Sequence, residues 1–140
     1  MKKVLMTLMV AVFSGITAFA ASPDEVLGVW LIQDKDAKIE LYKTADGELR
    51  GKCIWHKNPN QKDVSNTDPE KRNESVIGKI YVWGFKWDAE KGEWNGGKVY
   101  KDGKDYCGRI KLNPDGTLFL KGNICGTPLG KTNTWTRTTK

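Results

Sequence analysis

Short runs of alternating apolar and polar residues, separated by turn signals, dominate the chain after residue 20. The separators are DKD, TADGE, DAEKGE, KDGKD and NPDG, most of which place Asp or Asn beside Gly. No long amphipathic helical window interrupts the runs, and helical turns are expected only at residues 23–27 or 68–73. The pattern predicts eight strands, at residues 26–33, 38–43, 48–56, 77–87, 94–100, 105–112, 117–124 and 132–138.

Eight short antiparallel strands favour an all-β, up-and-down barrel, because a meander that closes on itself has no exposed edge strands. A barrel of this strand number has an interior just wide enough for side chains or for one small ligand. One connection is long and polar, KNPNQKDVSNTDPEKRNES at residues 57–75. We expect it either to form a partly ordered flap across one barrel mouth or to be a mobile loop.

The first twenty residues have the features of a secretory signal peptide. A basic MKK start is followed by an apolar run, and Ala18-Phe19-Ala20 fits the small-x-small cleavage rule. The run is shorter than the ~20 residues of a membrane span, and no cysteine adjoins the cleavage point. We therefore predict cleavage after Ala20, without a lipid anchor, and a single domain at residues 21–140 in the periplasm or outside the cell. No transmembrane segment is expected after signal removal.

The charge is positive but evenly distributed. The chain has 23 Lys plus Arg and 17 Asp plus Glu, a net charge of +6. Removal of Lys2 and Lys3 leaves 21 basic against 17 acidic residues, or +4. Because acidic and basic residues alternate, the sequence argues against a phosphate-binding stripe and against nucleic acid as a partner.

Three cysteines, Cys53, Cys107 and Cys125, allow at most one internal disulfide in an oxidising compartment. Strand parity places Cys107 and Cys125 on the outer face and Cys53 in the interior, so the first two are the candidate pair. In a simple hairpin centred on NPDG, however, Cys107 lies opposite Gly122, so the disulfide requires a bulge or bend. The absence of a CxxC motif argues against thioredoxin-like redox chemistry and zinc knuckles.

Alternation also predicts which side chains fill the barrel. The stretch KIYVWGFKW spaces four rings at every second residue, so a regular strand brings them to one face. Ile80 and Val82 make the other side of this strand apolar as well, which indicates cover by the long loop or a partner-binding patch. The predicted interior positions are Ile39, Leu41, Leu49, Cys53, Trp55, Tyr81, Trp83, Phe85, Tyr106, Ile110, Leu112, Leu118, Leu120 and Ile124.

The sequence contains no pattern typical of a catalytic or metal site. His56 is the single histidine, and no serine lies in a nucleophile elbow. Asp63, Asn66 and Asp68 offer oxygen ligands, but their loop lacks the glycine and terminal glutamate of an EF-hand. We therefore expect no enzymatic activity, no metal and no cofactor.

The first and the last predicted strand resemble those of the lipocalins and the wider calycin superfamily. LGVW near residue 28 is similar to their Gly-x-Trp opening, and TWTR near the end supplies the late basic residue. In that superfamily the Trp of the first strand packs beneath an Arg of the last strand and closes one end of the barrel. The resemblance implies that Gly28, Trp30 and Arg137 form this closure.

The chain also resembles the DUF2147 family of exported bacterial proteins. The shared stretches are GVW, DGELRGK, the spacing of Asp63, Asn66, Asp68 and Arg72, then IGKI, WGFK, EWNGGKVYKDGKDY and G..LGKTNTWTR. Two features depart from the family pattern: Lys121-Gly122 stands where an Arg-Gly pair is common, and Cys53 and Cys125 stand where apolar or small residues are expected. The resemblance implies a calycin-like barrel and brings no established substrate.

Two functions fit this sequence. The first is binding of a small apolar or amphipathic ligand inside the barrel or at its mouth. Its candidate residues are Tyr81, Trp83 and Phe85 as walls, Trp94 at a rim, Arg72 or Lys98 for an acidic head group, and Tyr100 or Tyr106 as hydrogen-bond donors. The alternative is a solid-core module that docks an envelope or stress-related protein through its aromatic rim or long loop.

Overall fold

The computed structural model describes residues 21–140, and the predicted signal peptide lies outside the described residues. The prediction of an eight-stranded antiparallel barrel is confirmed, because consecutive strands pair in order and the last pairs with the first. No helix within residues 21–140 has the length and hydrophobicity needed to cross a membrane. The strands are β1 (Gly28–Leu31), β2 (Ala37–Lys43), β3 (Leu49–His56), β4 (Ile80–Asp88), β5 (Glu93–Lys101), β6 (Lys104–Leu112), β7 (Leu118–Asn123) and β8 (Gly130–Arg137).

The barrel closes through a short ladder between β1 and β8. Trp30 lies opposite Arg137 and Leu31 opposite Thr136, and the Thr138 N–H donates to the Val29 carbonyl at 2.9 Å. β1 is shorter than predicted because residues before it form a 3₁₀ turn, Pro23–Val26, one of the two places where a helical turn was expected. The other place also holds one, Pro69–Lys71, capped by the Asp68 side chain.

The barrel interior is filled with side chains along most of its length. Phe85 is the centre of this packing, since its ring lies over Gly97, where an added Cβ would come within 2.1 Å of the ring. β5 therefore requires glycine at this position. The other fully buried side chains include Trp30, Trp94, Leu41, Leu49, Ile110, Leu118, Val26, Val82 and Cys53.

The prediction that the rings of KIYVWGFKW share one face was wrong. Between Gly51↔Val82 and Leu49↔Phe85, β4 has one residue more than β3, and Gly84 at this β-bulge has a φ of +77°. The bulge interrupts alternation, so Phe85 points into the core while Trp83 lies opposite exposed Lys98 on the outer face. Val82, assigned by parity to the outer side, is fully buried.

Two further interior predictions were wrong. Trp55 is 39% exposed and Ile124 is 55% exposed. The register moves from Lys38↔Trp55 to Ile39↔Cys53, so an extra residue in β3 turns Trp55 outward. Ile124 lies beyond the last residue of β7 and does not belong to a strand.

Candidate ligand site at the barrel mouth

One end of the barrel is closed by the segment that precedes β1. The Trp30 indole donates to the Val26 carbonyl at 2.9 Å, and the Arg137 guanidinium lies 4.2 Å from the Trp30 ring centroid. Arg137 also donates to the carbonyls of Leu27 at 2.9 Å and Glu25 at 2.7 Å. Its Nη1 would lie 2.9 Å from a Cβ added at Gly28, so a side chain there would compete with the guanidinium for space. These contacts close this end of the barrel.

The opposite end carries the long connection between β3 and β4. We call residues 57–79 the flap. It has its own internal pairing, since Lys62 bridges to Ser75 and the Val76 N–H donates to the Gln61 carbonyl at 3.1 Å. The flap also contacts the β5–β6 turn so closely that a Cβ on Gly103 would lie 1.8 Å from the Ser65 carbonyl oxygen. The flap is thus packed against the barrel wall.

A buried carboxylate joins the flap to the wall. Asp63 is 5% exposed and accepts hydrogen bonds from Tyr100 Oη at 2.7 Å, Lys79 Nζ at 2.7 Å and Asn66 Nδ2 at 2.8 Å. Lys79 also pairs with Glu74 at 3.2 Å. Burial alone would raise the pKa of Asp63, but these hydrogen bonds more than offset it and hold the pKa below its ordinary value. Burial and the Asp63 carboxylate raise the pKa of Tyr100 to about 12.

Between the flap and strands β4 to β6 lies a groove of about 710 Å³, which we call the mouth groove. Four flap residues line one side, Asn66, Thr67, Lys71 and Lys79. Its volume is within the ~300–1,000 Å³ range of small-molecule sites. The barrel side is lined by Ile80, Trp83, Tyr100, Gly103, Lys104, Asp105 and Tyr106, together with Ile124 of the β7–β8 loop.

The mouth groove combines an aromatic wall with positive charge. Trp83 and Tyr106 are half-buried and offer ring surface. Lys71 and Lys104 are exposed, and none of the ion pairs among residues 21–140 involves either of them. Among the lining residues the acidic one is Asp105, and it is exposed to solvent. An apolar body with a negative head group matches this arrangement.

The sequence matches a known protein family. The sequence model of the family described as "Uncharacterized protein conserved in bacteria (DUF2147)" matches residues 28–137. The chain belongs to the DUF2147 family. The match spans all eight strands and the flap. No curated protein matches the sequence at a significant level.

The fold of this DUF2147 protein is similar to that of a solved lipocalin. The similar structure is protein HP1028 from the human pathogen Helicobacter pylori, whose title assigns it to the lipocalin family. The TM-score is 0.69 and the sequence identity 25%, over 81% of this chain and 83% of that one. The closed barrel and this similarity together confirm the expected lipocalin-like fold.

The structure brings some of the predicted ligand residues together and separates others. Trp83 and Tyr100 line the mouth groove. Tyr81 stacks on Tyr100 with ring centroids 5.7 Å apart, and burial raises its pKa. Phe85 and Trp94 do not line the mouth groove, since both are buried in the core and Trp94 donates to the Pro23 carbonyl at the closed end.

The two basic residues predicted to anchor a head group do not line the mouth groove of the DUF2147 protein. The Arg72 Nε donates to the Asn66 carbonyl at 2.7 Å, so its guanidinium helps to shape the flap. Lys98 is exposed on the outer face beside Trp83. Lys71 and Lys104 were missed because each lies in a run of mixed charge, where no sequence pattern separates a lining lysine from a solvated one.

A disulfide connects Cys107 in β6 to Cys125 in the β7–β8 loop, with an S–S distance of 2.11 Å. The predicted register was wrong by one residue, because Cys107 lies opposite Asn123 and not opposite Gly122. The turn after β7 then brings Cys125 back to the outer face. Cys53 is free and buried among the core side chains, and burial raises the pKa of its thiol.

Proposed function

We propose that this protein is a non-enzymatic binding protein for small amphipathic anions, which it holds in the mouth groove. The observation that carries the proposal is the meeting of the half-buried Trp83 ring with Lys71 and Lys104 in one groove of about 710 Å³. Pockets of this kind need apolar surface and only a few polar groups to orient a ligand.

The two parts of the mouth groove favour the two parts of such a ligand. An acyl or aromatic body would cover Trp83, Ile80 and Tyr106, gaining about 25 cal/mol per Å² of apolar surface removed from water. A carboxylate or similar head group would lie beside Lys71 and Lys104, which have no acidic partner among the described residues. The ligand would thus be held at the rim of the barrel and against the flap.

The packed barrel interior argues against a ligand deeper inside. Phe85, Val82 and Ile110 are 0% exposed, and Phe85 lies directly on Gly97. The same packing favours a second candidate function, a solid-core module that docks an envelope protein. We also propose export to the periplasm or the cell exterior, which the disulfide supports because such bonds persist in oxidising compartments.

Intrinsic fluorescence with a matched pair of ligands tests the mouth groove. We expect laurate to change the tryptophan emission saturably and methyl laurate to bind about tenfold more weakly, since it lacks the charge that Lys71 and Lys104 would pair with. Trp83→Leu should abolish most of the signal. Trp55→Leu, at an exposed ring outside the mouth groove, is the control and should change neither affinity nor saturation.

Flat titrations with both ligands would contradict the binding proposal and favour the solid-core module. Equal affinity for laurate and methyl laurate would contradict the role of the two lysines while keeping the aromatic wall. Within a series of fatty acids, affinity should rise by at most about 0.8 kcal/mol per added methylene until the chain exceeds the mouth groove. Export is tested separately, by N-terminal sequencing of the protein from a periplasmic fraction, which should begin at Ala21.

A further inference from the structure

A second groove lies on the outer face of the barrel wall and has no lining residue in common with the mouth groove. Its volume is about 410 Å³. Gly96 and Gly108 contribute only backbone to it, and Glu93 also lines it. The remaining polar side chains come from β5, β6, β7 and the adjoining loops, and we call the groove they form the wall groove: Lys91, Asn95, Arg109, Lys121, Asn123 and Thr127.

The wall groove contains two cations in direct cross-strand register. Arg109 of β6 lies opposite Lys121 of β7. Like charges directly opposite each other destabilise a sheet, and the Phe119 ring, whose centroid lies 5.5 Å from the Arg109 guanidinium, offsets part of this cost. Glu93 offsets part of it, since its carboxylate lies 3.6 Å from Arg109 Nη1. Lys121 and Lys91 take part in none of the ion pairs among residues 21–140, so the groove has an excess of positive charge.

A β-bulge opens the space between these side chains. The register of β5 and β6 passes from Asn95↔Arg109 to Gly97↔Gly108, which leaves Gly96 without a partner on β6. Gly96 has a φ of +75°, and a Cβ placed there would meet nothing within 4 Å. The wall beside Arg109 is therefore free of side-chain bulk, with the Asn95 and Asn123 side chains on the same groove.

We propose that the wall groove binds a phosphate group carried by a small ligand or a lipid. An arginine fork presents paired N–H donors that match phosphate oxygens, and lysines add compact positive charge beside it. Arg109 is 45% exposed at its side chain, so donors not directed at Glu93 are accessible. Asn95 adds a neutral donor, since only one of its two amide N–H groups is used, by Asp88 at 3.1 Å. The Asn123 amide instead donates to the carbonyls of Ile124 and Thr127 and shapes the rim of the groove. The bound phosphate would lie between Arg109 and Lys121 and remove their repulsion.

Amide NMR shifts provide the test on the whole protein. We titrate inorganic phosphate and glycerol 3-phosphate, and separately add vesicles of phosphatidylcholine with or without phosphatidylglycerol. Saturable shifts are expected at Asn95, Gly96, Arg109 and Lys121. Lys121→Gln should weaken binding by about tenfold, because it removes a charge-assisted hydrogen bond to the phosphate.

The control is Lys52→Gln, which removes the same charge from the half-buried outer side of β3, away from both grooves. It should change affinity by less than about twofold, since surface charges that far apart are largely screened. Without ligand, Lys121→Gln should melt no lower than the wild type, because the substitution removes a like-charge pair. This expectation separates loss of the site from loss of the fold.

The outcomes also distinguish the source of the phosphate. Saturation by glycerol 3-phosphate supports a soluble ligand, whereas binding that requires phosphatidylglycerol in the vesicle supports a lipid head group. Equal weakening by Lys121→Gln and Lys52→Gln would overturn the proposal, since it would show only a response to net charge. Shifts confined to Lys71 and Lys104, or no saturable shift with any of these ligands, would overturn it as well.

Discussion

Tyr100 and Asp63 connect the barrel wall to the flap: the phenol oxygen lies 2.7 Å from one carboxylate oxygen and 2.9 Å from the other. Asp63 is contributed by the flap and Tyr100 by β5, so this contact adds a side-chain link to the close packing of Ser65 against Gly103. Because Tyr100 and Asn66 also line the mouth groove, the shape of the groove depends on the same contact.

Asp63→Asn should release the flap while leaving the barrel folded. The substitution removes the negative charge that accepts hydrogen bonds from Lys79 and Tyr100. Loss of a buried, charge-assisted hydrogen bond costs about 1–3 kcal/mol. Amide hydrogen exchange should therefore accelerate in residues 57–79 and remain slow in β2 and β7. Asp34→Asn is the control, since its 3.6 Å ion pair with Lys101 is exposed and contributes ~0–1 kcal/mol. Equal exchange in the two variants would contradict the anchoring role.

The depressed pKa of Asp63 predicts a loss of stability in acid. An unfolded Asp titrates near pH 3.9, so below that pH the unfolded chain binds a proton more readily than the native protein does. The contribution of this carboxylate is therefore fully present above about pH 5 and is lost as the pH falls through its lower native pKa. Urea unfolding between about pH 6 and pH 2 should show a steeper decline for wild type than for Asp63→Asn. An equal decline of the unfolding free energy in the two proteins would show that other acidic residues cause the loss of stability in acid.

Gly97→Ala should destabilise the barrel core. The new methyl would lie 2.1 Å from the Phe85 ring, which is fully buried and cannot move without displacing its neighbours. Overpacking of this kind typically costs about 1–3 kcal/mol, measurable as a lower urea midpoint. Gly122→Ala is the matched control on β7, because its Cβ would make an ordinary 3.8 Å contact with Tyr106. A midpoint for Gly97→Ala equal to that of the control would refute the close packing of Phe85.

Arg137→Gln should loosen the closed end of the barrel. The guanidinium covers the Trp30 ring and satisfies the carbonyls of Leu27 and Glu25, three contacts that glutamine cannot reproduce together. We expect a loss of about 1–3 kcal/mol in unfolding free energy and a red shift of the Trp30 emission. Lys38→Gln, which removes a cation from the exposed Trp55 ring, should cost less than about 1 kcal/mol. Comparable losses in both variants would argue against a special role for Arg137.

The architecture could be predicted from the sequence because turn chemistry and alternation act locally. Asp-Gly turns mark strand ends within a few residues, and the number of strands determines whether the sheet can close. The 3₁₀ turn at Pro23–Val26 could also be predicted, from its proline and its acidic residues.

The position of the rings could not be predicted, because a single extra residue reverses every side chain beyond it. Gly84 and the extra residue before Trp55 both act in this way, and a bulge is defined by its partner strand, which lies far away in the sequence. The lysines of the mouth groove escaped prediction for a related reason. Lys71 and Lys104 are thirty-three positions apart and meet only because the flap folds back onto the β5–β6 turn.

The ladder between Trp30 and Arg137 has a consequence for how the chain matures. Until residues 130–137 have left the ribosome, β1 and β7 have no neighbour on one side and expose unpaired backbone groups. The nascent chain is therefore an open, curved sheet with two unpaired edge strands. A fragment that ends before β8 should associate with other copies of itself through these edges. Pairing of β8 with β1 and β7 removes both edges and ends the risk of such association.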